Sequence, residues 1–168
     1  MYLLGGIDNS TTYMNDVWSS SDGKTWTQIT DNVTWPKRYG HLATAFNKKI
    51  WVMGGNNGST LKDVWYSSND NASSWTQAST SRTMWSTGRG IPASVFDGEL
   101  WVAGGNGGSG TLNSLSSSDG SAWKKVAVKD DETYRSGIES GVMGNRLYLI
   151  RGYVGNNTYK DDVLRYGP

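Results

Sequence analysis

Pro36-Lys37-Arg38-Tyr39-Gly40-His41-Leu42-Ala43-Thr44-Ala45-Phe46-Asn47-Lys48-Lys49-Ile50-Trp51-Val52-Met53-Gly54-Gly55 carries two strand-like runs, a polar break between them and a double glycine at the end. Leu42 to Phe46 alternates bulky with small residues, as a half-buried strand does. Ile50 to Met53 is a short apolar run rich in β-forming side chains. Asn47-Lys48-Lys49 between them reads as a tight turn, and Gly54-Gly55 stops the second run.

The same ending recurs along the chain. Leu3-Leu4-Gly5-Gly6 precedes it, Val102-Ala103-Gly104-Gly105 follows it, and Ile150-Arg151-Gly152 is a degenerate fourth copy. Gly6 to Gly55 is 49 residues, Gly55 to Gly105 is 50, and Gly105 to Gly152 is 47. After each pair come a polar loop and a further strand-like stretch, at Asn15 to Trp18, Lys62 to Trp65, Leu112 to Leu115 and Asp161 to Leu164. A turn closed by tryptophan follows at Trp26, Trp75 and Trp123, and then an arginine at Arg38, Arg89 and Arg135. A fixed period of about fifty residues points to a repeated supersecondary unit.

These residues resemble the kelch repeat, whose double glycine closes one strand of a blade and is followed by a spaced aromatic and a tryptophan. The resemblance covers essentially the whole chain. It implies a β-propeller of four-stranded antiparallel blades, as in kelch domains and the central domain of galactose oxidase. The third repeat departs from the pattern with Ser116 where the first two have Trp18 and Trp65. The Ser-Asp-Gly turns at 21–26 and 118–123 are also similar to the Asp box of sialidase propellers, and they read here as structural β-turns.

Composition agrees with an all-β class: 22 glycines, nine Trp and nine Tyr stand beside only two Phe. Lettering the strands of a blade A to D from the hub outward, the chain supplies B, C and D of repeat one, A to D of repeats two and three, and A, B and C of repeat four. About 14 strands are expected, in one domain over 1–168 with repeats at about 1–37, 38–88, 89–134 and 135–168. Two complete blades are flanked by two partial ones. Six or seven blades at ~50 residues each need a longer chain than this, so a fragment, or a ring completed by self-association or by a complementary chain, is expected.

Antiparallel strands put the B–C loops (7–15, 56–62, 106–111, 153–160) and the D–A loops (30–40, 79–90, 128–137) on one face. That face concentrates aromatics, arginines and asparagines, which suit a protein, peptide or glycan ligand. The candidate ligand-binding residues are Arg38, Arg89 and Arg135 with Trp35, Trp85, Tyr134, Tyr39 and His41. An arginine recurring once per repeat is more often a hydrogen-bonding device between blades than a ligand contact. The preferred function is a non-catalytic binding or scaffold module. The alternative is a fragment of a carbohydrate-active propeller enzyme of sialic-acid mutarotase or sialidase type.

With Cys absent and His41 the single histidine, thiolate or multi-histidine metal sites and galactose-oxidase copper chemistry are excluded. No catalytic set, metal site or cofactor is expected. Sixteen Lys plus Arg against 15 Asp plus Glu, a net charge of +1, give no footprint for nucleic acid. The longest apolar runs fall far short of the ~20 residues of a membrane span. Sequons at Asn9, Asn32, Asn57, Asn71 and Asn156 tilt the setting toward the extracellular space or cell surface.

Overall fold

The computed structural model describes residues 1–79, 92–103, 114–126, 137–155 and 157–167, and contains 14 strands and no helix among them. They form four antiparallel sheets in chain order. The first holds β1 (Tyr2–Ile7), β2 (Tyr13–Ser19) and β3 (Thr27–Thr30); the second holds β4 (Leu42–Phe46), β5 (Lys49–Met53), β6 (Val64–Ser67) and β7 (Trp75–Gln77). The third holds β8 (Ala93–Phe96), β9 (Glu99–Val102), β10 (Ser114–Ser117) and β11 (Lys124–Val126); the fourth holds β12 (Glu139–Met143), β13 (Arg146–Gly155) and β14 (Thr158–Tyr166). Three, four, four and three strands is the count that the repeats predict. Strand β8 neighbours both β4 and β12, so the first strands of these sheets gather on the hub side of a propeller sector.

Each hairpin follows from its turn residues. Asn47 and Lys48 have φ of +49° and +59°, and Asp97 and Gly98 of +50° and +70°. Positive φ at both central residues gives the turn whose twist matches a two-residue hairpin. Register then runs from Phe46 against Lys49 to Leu42 against Met53. Lys48 carries a side chain in a left-handed conformation that glycine adopts without strain. Lys48→Gly is therefore expected to stabilise the fold by roughly 0.5–1 kcal/mol, read as a higher urea midpoint; a lower midpoint would contradict this turn geometry.

The core lies between successive sheets. Leu4 and Val17 of the first sheet pack with Val52 and Trp75 of the second. Phe46, Trp51 and Met53 pack with Leu100, Val102 and Leu115 of the third, and Phe96 and Trp101 with Leu147 and Leu149 of the fourth. The indole N–H groups of Trp51 and Trp101 donate to the carbonyls of Phe46 and Phe96, each at 3.0 Å, which satisfies both buried donors in the same way. The turn tryptophans face the preceding blade: Trp75 is 6 % exposed, whereas Trp26 is 38 % exposed because no blade precedes the first sheet among the described residues.

The Ser-Asp-Gly turns are structural, as expected. In the first, Ser20 Oγ accepts the N–H groups of Asp22 and Gly23, and Asp22 Oδ1 accepts those of Lys24 and Thr25. Ser117 and Asp119 repeat the pattern in the third sheet. The N–H groups of Thr25 and then Lys24, with the Ser20 hydroxyl, hold the Asp22 carboxyl down at about 2.

One expectation needs correction. The 153–160 stretch is not a long open loop, because β13 and β14 run into it, pairing Tyr153 with Tyr159 and Gly155 with Thr158. Register shifts between Ile150 and Gly152 and between Tyr153 and Gly155 carry the ladder past Arg151, whose φ is +62°.

Candidate functional site

The link from β3 to β4 crosses from the first blade to the second, and its backbone is tied to the first. Arg38 N–H donates to the Met14 carbonyl and Gly6 N–H to the Arg38 carbonyl, both at 2.9 Å. The side chain of Arg38 belongs to the second blade. Nη1 donates to the Gly54 carbonyl and Asp63 Oδ1, Nη2 to Asp63 Oδ2, all at 2.7 Å, and Nε to the Pro36 carbonyl at 2.9 Å. The Trp65 indole donates to Asp63 Oδ2 at 2.7 Å. Burial pushes the Asp63 carboxyl up, but the Arg38 fork and the Trp65 indole outweigh it and hold the group below its ordinary 3.8.

Arg38 is 0 % exposed, and so is Trp35, whose ring lies 5.5 Å from the Arg38 guanidinium carbon and meets Trp75 edge-on at 5.9 Å. These two candidates therefore do not form a rim open to a ligand. The link carries them inward because a bidentate carboxylate and a tryptophan seam await them there.

Tyr39 and His41 follow on the same link. Tyr39 exchanges two backbone hydrogen bonds of 3.0 Å with Asn56. Its half-buried ring stacks on the half-buried ring of Tyr13, with centroids 5.5 Å apart and planes within 2°. A two-tyrosine platform thus bridges the seam between the first two blades on the long-loop face. Gly55 beneath it has φ +96°, and an added Cβ would lie 2.9 Å from both His41 Cβ and the Tyr39 carbonyl. The second glycine of the pair is needed for this close passage of the link.

His41 is largely buried. Burial, then the positive charge of Arg38, lower its pKa from 6.5 to about 4, against the opposing effect of a backbone hydrogen bond at Leu4. The imidazole is neutral at pH 7. Its Nδ1 has no hydrogen-bond partner. Arg89, Arg135, Trp85 and Tyr134 lie outside the described residues.

A cleft of about 410 Å³ opens in the fourth blade, lined by Arg151, Gly152, Tyr153, Tyr159, Lys160 and Asp161. The rings of Tyr153 and Tyr159 stand 5.1 Å apart, and Tyr159 is 76 % exposed. Tyr153 and Tyr159 are legible in the sequence as aromatics of the long-loop face, but the cleft itself is made by the bulged ladder. Sequence reasoning also missed Asp63 as the partner of Arg38. The signal was present, since Asp16 and Asp63 both stand two residues before a tryptophan.

The family model described as the KLHDC2/KLHL20/DRC7 Kelch-repeats domain matches residues 1–167. No curated protein matches the chain.

Proposed function

Because this chain belongs to the kelch-repeat domain family, matched over residues 1–167, we propose that it works as a binding module that takes a protein or peptide segment on its long-loop face. The observation that carries this reading is the Tyr13–Tyr39 stack across the seam of two blades. Tyrosine rings give large, rigid contact area at low entropic cost. The turn face offers less, since Asp22 and Asp119 spend their carboxylates on neighbouring backbone N–H groups.

A second reading, a glycan-binding sector of a carbohydrate-active propeller, is favoured by the cleft at Tyr153 and Tyr159, where Arg151, Lys160 and Asp161 supply hydrogen-bonding edges beside aromatic faces. One experiment separates the two. A peptide array and a glycan array are probed with the unaltered chain, with Tyr13→Ala and with Tyr159→Ala. Loss of peptide binding in Tyr13→Ala alone, by roughly tenfold or more for an interface anchor, supports the first reading. Sugar binding lost only in Tyr159→Ala supports the second and overturns the first.

A further inference from the structure

We propose that Asn57 is a site of slow self-modification: the Gly58 amide nitrogen closes on its carboxamide and converts it to aspartate and isoaspartate, which loosens the loop that holds Tyr39. Asn57-Gly58 lies midway along the link from β5 to β6 and is the one Asn-Gly pair among the described residues. The reaction needs an unshielded nitrogen, room for a five-membered ring and a polarised carbonyl. Gly58 is exposed, and a Cβ placed on it would meet no atom within 4 Å. The Ser59 N–H donates to Asn57 Oδ1 at 3.4 Å, the oxygen on which negative charge gathers during the attack. The Gly58 N–H donates to Asn56 Oδ1 at 2.9 Å, an exposed bond that water can replace as the nitrogen turns toward Asn57.

The deprotonated Gly58 nitrogen bonds to Asn57 Cγ, the carboxamide C–N bond breaks, and the leaving nitrogen takes up a proton and departs as ammonia. Water then opens the succinimide at either carbonyl. One opening gives aspartate, and the other gives isoaspartate, whose backbone is longer by one carbon. Water is consumed and ammonia released, with no oxidant or reductant. The Asp-Gly turns at 22–23 and 119–120 are closed to the same chemistry. Asp22 and Asp119 each accept two backbone N–H groups that keep the carboxylate ionised, and an ionised carboxylate is a poor electrophile. A Cβ at Gly120 would also collide with the Trp51 ring. At the open loop the consequence is structural. Asn56 exchanges two backbone hydrogen bonds of 3.0 Å with Tyr39 and pairs with Thr60 across the loop. An extra backbone carbon between Asn56 and Gly58 puts these pairings out of step. The affected residue belongs to the platform of the proposed peptide-binding face, but neither the chemistry nor its test requires a ligand.

The full chain is incubated in mildly alkaline buffer and digested with trypsin, which cuts after Lys49 and Lys62 and isolates residues 50–62. Fragmentation mass spectrometry of that peptide should place the mass gain of an amide-to-acid change on Asn57, in two chromatographically separate products. Both should grow with time and form more slowly in mildly acidic buffer, where less of the amide nitrogen is deprotonated. Asn57→Gln should abolish them, since its longer side chain forms the six-membered imide far more slowly. In the isoaspartate fraction, hydrogen exchange of the Tyr39 and Asn56 amides should speed up by roughly tenfold or more. Freshly prepared Asn57→Asp, which carries the charge without the extra carbon, should leave that exchange unchanged. An Asn57 that stays intact in the folded chain while it converts in urea overturns the proposal, as does an isoaspartate fraction whose Tyr39 and Asn56 amides exchange no faster.

Discussion

Asp63→Ala is expected to lower the unfolding free energy by about 3–5 kcal/mol, because it leaves the guanidinium of Arg38 buried without a counter-charge. Arg38 is 0 % exposed, so water cannot replace the lost oxygens without opening the seam between the first two blades. The Trp65 indole loses its acceptor in the same change, which adds to the cost. Arg38→Met is expected to cost less, since a flexible apolar side chain fits beside Trp35 and leaves a carboxylate that is 15 % exposed. The double variant should be no less stable than Asp63→Ala, as expected when the single change leaves an unpaired buried charge. Urea unfolding followed by tryptophan fluorescence measures all three. A loss below about 1 kcal/mol in Asp63→Ala, the level of a surface ion pair, would show that the pair is not buried in solution.

The clamp also marks where reading the sequence stops being enough. The glycine pairs, the Asn47-Lys48 turn and the Ser-Asp-Gly turns are local devices: each is set by backbone conformations of a few adjacent residues, so the strands are legible in advance. Whether Arg38 points to a ligand or to the core is decided by a carboxylate 25 residues away in sequence. A charged residue in a loop between strands reads as surface by default, because arginine is seldom fully buried unless paired. Trp35, a candidate of the long-loop face because it lies in the loop before Arg38, turns inward against Trp75. The fourth blade failed in the opposite direction. Residues 153–160 read as a polar loop, yet β-bulges let β13 and β14 continue through it and build a cleft from Arg151, Tyr153 and Tyr159. Bulges depend on cross-strand register, which a single strand does not display.

Acidification should destabilise the fold in two separable steps, and the first belongs to His41. Its folded pKa is lowered to about 4 from 6.5, chiefly by burial and secondarily by Arg38. The unfolded chain therefore takes up the proton first as pH falls. Stability is fully present above about 6.5, declines between 6.5 and 4, and shows no further loss from this group below its folded pKa. The drop amounts to roughly 3 kcal/mol, from about 1.4 kcal/mol per pKa unit. Asp63 follows at lower pH, because its carboxyl is held below 3.8 in the fold and its contribution is lost only as that group protonates. Since His41 is the single histidine of the chain, its Cε1 proton resonance reports the first step without ambiguity and should stay at the neutral position down to nearly pH 4. His41→Gln, which carries no titrating group, should flatten the stability profile between pH 6.5 and 4 while leaving the later fall in place. An imidazole that titrates near 6.5 in the folded chain, or a slope that survives in His41→Gln, would mean that the link between the first two blades is open to water at this point.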